Sequence, residues 1–349
     1  MPSGETYAAD CAALRSMVKT AYWPLKHAGA PTSSLMPKVV CGDWSCEAEP
    51  NSKKPLDQWW AMVDGLNKAA TAPIDGDAHG SVDALSLHWY PASSEDKHDA
   101  KEDLNATRLD AFSDVFTRFK QEIAAGWKGE VWAGETASLQ NGGGDSVSNA
   151  FQSTTWLWDQ LGQQGEAGIS RMLRESISVG RYAQVNSTDG TPFPDFFSTL
   201  LWREVVGSKV LSPMDDTTSS NLLDERSTTT TNKNTRIDNR GKELRVYSRC
   251  ARTSAAEVVL VIVNLSPTVA STVTVGGVKP GSQQKEWLLT AGTGTEVRFR
   301  ISTLLSAATG RRLLLLCLPI IAESFALACL LLLCTVRRCG AGGGARRLR

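Results

Sequence analysis

"GEVWAGETASLQNGGG", residues 129–144, sets an apolar run against a glycine-rich turn, with one carboxylate, Glu135, at the junction. A short apolar run bounded by a turn signal reads as a buried strand. Thr136 and Ser138 follow and can donate hydrogen bonds to a carboxylate, which favours its ionised form. Gly142, Gly143 and Gly144 can offer backbone N–H groups to an anion. The plainer alternatives are a solvated strand-end glutamate and a flexible turn.

Outward from this stretch, strands and helices alternate. "PKVVCGDW" (37–44), "SVDALSLHWY" (81–90) and "AGISRMLRES" (167–176) read as three further strands. Between them, apolar residues recur at helical spacing. The stripes are Tyr7, Cys11, Leu14 and Val18; then Leu56, Trp59, Trp60, Val63 and Leu66; then Leu109, Phe112, Phe116, Phe119 and Ile123. Another helix is expected from Val147 to Leu161, and a last one through Val206 with Asp195 as its N-cap. The alternation predicts an α/β fold with a parallel sheet. Four such units make strands five to eight of a (β/α)8 TIM barrel, which in full takes about 250 residues. Residues 1–207 are therefore read as the C-terminal half of a catalytic barrel, whose front half is expected to lie outside this sequence. In such a barrel, a carboxylate at the C-terminal end of a strand points to where the chemistry is done.

The pattern changes after Lys209. Short runs such as "ELRVYSR", "EVVLVIVN", "STVTV", "EWLLT" and "EVRFRI" predict a small β-sandwich over residues 208–305. Residues 306–349 hold an apolar segment and a basic Gly/Arg tail. Leu313 to Val336 is 24 residues flanked by arginine pairs, long enough to span a bilayer. Pro319 and Glu323 lie inside it, and a charge near the midplane costs about 2.5–3.5 kcal/mol. The expectation is a transmembrane helix over 313–336; the alternative is the last strands of the sandwich.

Lysine plus arginine equals aspartate plus glutamate at 37 each, so the formal net charge is zero. Nothing in this balance points to nucleic acid. The eight cysteines contain no CxxC pair, and no two of the four histidines have metal-ligand spacing, so neither a metal nor a cofactor is expected. Cys41 and Cys46 could pair, although isolated thiols are an equal reading. Asn105, Asn186 and Asn264 open sequons that permit glycosylation. "MPSGETYAAD" lacks the apolar core of a signal peptide, so either the protein is cytosolic or its true start lies upstream.

The combination "VWAGETAS…NGGG", "MLRES…RY" and "PFPDFFSTLLWREVVGSKVL" resembles glycoside hydrolase family 79, the heparanase and β-glucuronidase group, over roughly residues 5–305. The resemblance implies a barrel with an attached β-sandwich and retaining hydrolysis of β-glucuronides in glycans. It implies Glu135 as nucleophile, with His88 and Tyr90 supporting it. Gly142, Gly143 and Tyr182 are implied to bind the uronate carboxylate. Arg181 and Glu175 stand where heparanases carry asparagine and glutamine. The implied partner is a glucuronic-acid-containing glycan, and the implied location is a membrane, the secretory pathway or the cell exterior. Retention needs a second carboxyl group about 5–5.5 Å from the first. Glu49, in "CEAEPNSKK", is a candidate, but strand counting disfavours it and places the acid/base donor upstream of Met1. The rival reading is a non-catalytic, membrane-tethered carbohydrate-binding remnant.

Overall fold

The residues that alternate inward along "ALSLHW" show how the first layer is built. In the computed structural model, strands β1 (Val40–Cys46), β2 (Ala84–Trp89), β3 (Glu130–Thr136) and β4 (Arg171–Arg174) form one sheet. Their order is consecutive and every pairing is parallel. Leu85, Leu87 and Trp89 of β2, with Val131 and Ala133 of β3, face a helix layer. That layer includes α1 (Gly4–His27) and α2 (Ala106–Arg118), the latter continued by a π-helical turn, Phe119–Ile123. Phe112 meets Trp89 edge-on at 5.2 Å, and Phe116 stacks on Phe112 at 4.5 Å, geometries that ring quadrupoles favour. The structure describes residues 4–27, 37–46, 82–93, 105–123, 127, 129–211, 214–215, 235–236, 239–254, 257–266, 271–275, 283–291, 297–305, 313–317 and 328–334. The stripe expected from Leu56 to Leu66 lies outside them, as does Glu49.

Two expectations for this half are corrected. On α1 the buried face runs through Ala8, Cys11 and Arg15, while Leu14 is 46% exposed. Arg15 turns inward because Asp83, before β2, offers it an ion pair. Cys41 forms its disulfide with Cys11 rather than Cys46, because the helix lies across β1 and brings distant cysteines together.

Helix α3 (Phe151–Ala167) closes on Gly168 in the left-handed region, φ 69°, where the absent Cβ removes the steric penalty. Helix α4 (Pro194–Val205) is capped at Phe193 without a side-chain bond. Asp195 sits inside its first turn and is not the expected N-cap. Its carboxylate is claimed by Ser153 at 2.6 Å, by Thr154 at 3.1 Å and by Arg174.

The remaining strands are β5 (Val206–Leu211), β6 (Met214–Asp215), β7 (Thr235–Arg236), β8 (Leu244–Ala251), β9 (Val258–Asn264), β10 (Ser271–Val275), β11 (Gln283–Ala291), β12 (Val297–Leu305), β13 (Leu313–Cys317) and β14 (Ala328–Cys334). Six of them form an antiparallel sheet in the order β12-β11-β14-β9-β8-β5. The apolar run expected as a transmembrane helix is thus strand-forming at both ends: β13 pairs with β10, and β14 is hydrogen-bonded between β9 and β11. Periodicity alone does not separate a buried strand from a helix in such an apolar run. Among the described residues, no helix is long and apolar enough to cross a membrane. Asn264 of the third sequon is 2% exposed at the end of β9, so the folded chain does not present it.

Helix α3 packs against the six-stranded sheet. Trp156 and Trp158 share a core with Tyr247, Val259, Val261 and Val263. Beneath it, Arg245 of β8 bonds Asp110 at 2.5 Å and lies 3.9 Å from Asp159, whose carboxylate also accepts from Tyr247 at 2.6 Å.

Candidate active site

One irregularity in β3 turns Glu135 toward the open face. Leu87 pairs with Ala133, but the next residue, His88, pairs with Glu135, leaving Gly134 as an extra residue. The β3–β4 register shifts over the same interval. Ala133 lies in the helix-side core, and Thr136 is bonded by Gln160 of α3. Gly134 and Glu135 between them therefore both turn to the opposite face, as a bulge allows.

There the carboxylate has two partners from the end of β2. The Tyr90 hydroxyl donates to Oε1. His88 Nδ1 lies 3.4 Å from Oε2. Tyr90 is 4% exposed. Burial first, and then its bond to Glu135, push its hydroxyl far above the ordinary phenol range. It remains a protonated donor to a carboxylate that is itself 35% exposed. The donors expected from Thr136 and Ser138 are absent. Thr136 Oγ1 accepts from Gln160 at 2.7 Å, and Ser138 donates to Ser148 at 2.8 Å. Both hydroxyls support the loop and helix behind the site instead.

The glycine run packs against the segment after β4. Gly142 and Gly143 have φ of 87° and 80°, where side chains are strained. The Gly142 carbonyl accepts from Arg181 N–H at 2.6 Å, and the Gly142 backbone also bonds the Tyr182 hydroxyl. A Cβ on Gly143 would come within 2.7 Å of the Tyr182 nitrogen, so this contact requires glycine. Gly144 N–H donates to Ser148 at 3.0 Å. Burial, then the charges of Glu175 and Glu135, raise the Tyr182 hydroxyl. The structure thus gathers Glu135, Tyr90, His88, Gly142, Gly143 and Tyr182 at the C-terminal end of the parallel sheet.

Sequence reasoning missed the support behind it. Arg174, at the end of β4, bonds the Tyr182 carbonyl and ion-pairs with buried Asp195. An arginine amid the apolar residues of a short strand was the available signal. Among the described residues, no three His, Cys, Asp or Glu side chains converge as metal ligands.

Residues 71–162 match the model for the glycosyl hydrolase family 79, N-terminal domain. This chain is a relative of glycoside hydrolase family 79. It is 32% identical over 193 residues to heparanase-like protein 3 of Arabidopsis thaliana, covering 55% of this chain and 32% of that protein. It is 33% identical over 135 residues to heparanase of Mus musculus, covering 37% of this chain and 24% of that protein. A third relative is the baicalin-beta-D-glucuronidase of Scutellaria baicalensis, 34% identical over 86 residues, which are 25% of this chain and 16% of that protein. The chain therefore spans about a third of the length of the first of these family 79 relatives. Among solved structures, a Paenibacillus polymyxa xyloglucanase from family 44 matches with a TM-score of 0.58 at 12% identity, over 96% of this chain and 62% of that one. An alpha-L-arabinofuranosidase from Thermotoga maritima matches at 0.58 and 10%, over 95% and 62%. At such identity the likeness shows the α/β fold alone.

Proposed function

We propose that this chain carries the nucleophile half of a retaining glycoside hydrolase acting on β-glucuronides in glycans, with Glu135 as the nucleophile. The observation that carries the reading is the pair of groups, Tyr90 hydroxyl and His88 Nδ1, aimed at the two oxygens of one strand-end carboxylate. In this reading β1 to β4 are strands five to eight of a (β/α)8 barrel, and the antiparallel strands belong to the accompanying β-sandwich. The glucuronide specificity comes from the family 79 relatives, with Gly142, Gly143 and Tyr182 receiving the sugar carboxylate.

Glu135 attacks the anomeric carbon as the bond to the leaving oxygen breaks, giving a covalent glycosyl ester that water then hydrolyses. Tyr90 and His88 hold the carboxylate in line for attack, and its bond to Tyr90 weakens as its charge passes to the sugar. A second carboxyl group protonates the leaving oxygen and later deprotonates water. We assign that group to the barrel strands that precede β1 in chain order. The Cys11–Cys41 disulfide fits passage through an oxidising compartment.

The test uses 2,4-dinitrophenyl 2-deoxy-2-fluoro-β-D-glucuronide, whose leaving group departs without a proton donor. Labelling of the whole chain followed by peptide mass spectrometry is expected to place the fluorosugar on Glu135, and Glu135→Gln should remain unlabelled. A chain that binds D-glucuronate but is never labelled would instead be a carbohydrate-binding protein.

A further inference from the structure

Glu175 follows the last residue of β4, and its N–H donates to the Thr136 carbonyl at 2.9 Å. Arg174 pairs with Thr136 in the register, and both side chains turn to the helix layer, one to Asp195 and the other to Gln160. Strand alternation then puts Glu175 on the open face that carries Glu135. It is half-buried there, and its charge acts on the Tyr90 and Tyr182 hydroxyls. On Tyr182 the Arg174 charge acts in the opposite direction but more weakly than Glu175. Arg174 is committed to Asp195, and the exposed Arg181 lies 4.0 Å from Asp145. Among the described residues, the titratable and charged groups of this end of the sheet are Glu135 from β3, His88 and Tyr90 from the end of β2, Asp145 from the glycine loop, and Arg174, Arg181 and Tyr182 from the segment of Glu175 itself.

We infer that Glu175 makes the binding of a sugar carboxylate against Gly142 and Tyr182 proton-coupled, with one solvent proton shared between the uronate and the Glu175 carboxyl group. The inference rests on the glucuronide reading above. Two carboxylates in one site cannot both stay ionised without cost. A shared proton replaces that repulsion with a short charge-assisted O–H···O bond. Glucuronide recognition is then strong in acid and lost toward neutrality, and a glutamine at 175 would donate an N–H at any pH.

Calorimetric titration of the whole chain with D-glucuronate, and with D-glucose as the neutral control, tests this from about pH 5 to about pH 8. Glucuronate affinity is expected to fall about tenfold per pH unit on the alkaline side, with about one proton taken up per sugar bound. Glu175→Gln should bind glucuronate with no such slope and more tightly than the parent at neutral pH. D-Glucose should show no slope in either protein. A flat glucuronate profile in the parent overturns the inference, and that measurement needs no variant. A slope that survives in Glu175→Gln also overturns it, placing the proton on His88 or Glu135. If neither protein binds glucuronate at any pH, the glucuronide reading itself fails.

Discussion

Tyr90 owes its role to burial. Out of water, and bonded to a carboxylate, its hydroxyl has every reason to keep its proton. It therefore donates to Glu135 across the whole range in which glycosides are turned over. Tyr90 acts on the rate by holding the carboxylate in line for attack, and a misplaced reacting group can cost about 100-fold. Tyr90→Phe is thus expected to slow fluorosugar labelling of Glu135 by roughly 10- to 100-fold, measured as the second-order labelling rate. Glucuronate affinity should change little, because Tyr90 bonds the nucleophile and not the sugar carboxylate. The carboxylate at the end of an apolar strand was legible from "VWAGET". Its donors were not. Thr136 and Ser138 looked suitable by adjacency, but one extra residue in β3 put Thr136 on the far side of the sheet. Register lies in the pairing of strands and is not written within either of them.

At the scale of elements, α3 and β8 approach so closely that a side chain at Gly162 would have to displace the buried Tyr247 ring. A Cβ at Gly162 would come within 2.3 Å of the Tyr247 ring, and one at Gly165 within 2.1 Å of the Arg249 guanidinium. Glycine inside a helix costs about 1 kcal/mol relative to alanine, so helix propensity alone would recommend Gly162→Ala. The contact reverses the sign. Gly162→Ala is expected to destabilise the chain by about 1–3 kcal/mol through overpacking, read as a lower urea midpoint at unchanged helical circular dichroism. The four parallel strands and their helices were visible as alternating periodicities, because each period belongs to one element. The final apolar run was not decided by its own residues. Leucines at 313–316 and 330–333 suit a bilayer helix or a strand, and the neighbours of β14 on both sides make the difference.

Across the whole molecule, Arg245 ties the antiparallel sheet to the helices behind the candidate site. Its side chain is 1% exposed and engages Asp110 and Asp159. Burial raises the Asp159 carboxyl, and the Arg245 charge opposes that rise. Removing the cation leaves buried acids unpaired, so Arg245→Met is expected to cost about 3–5 kcal/mol in chemical denaturation. Loss of one transition in favour of two would show the halves parting. Alkaline stability follows from the tyrosines. Tyr90, Tyr182 and Tyr247 all titrate higher in the folded chain, chiefly through burial. Unfolded tyrosine titrates near about 10, so the folded state holds these protons more tightly. Their stabilisation is whole below that pH and declines as pH rises above it. Urea midpoints should be level from about pH 8 to about pH 10 and fall beyond. By itself the sequence determined the alternation of the four parallel strands with helices, the strand-end glutamate and the glycine turn, because periodicity and turn chemistry are properties of contiguous residues. Only the tertiary structure decided that Glu135 turns to the open face, that Tyr90 and His88 meet it, that Cys11 joins Cys41, and that the last leucines pair in a sheet. Each of these depends on contacts between segments distant in the chain, where desolvation and strand register choose among partners that the local residues leave equal.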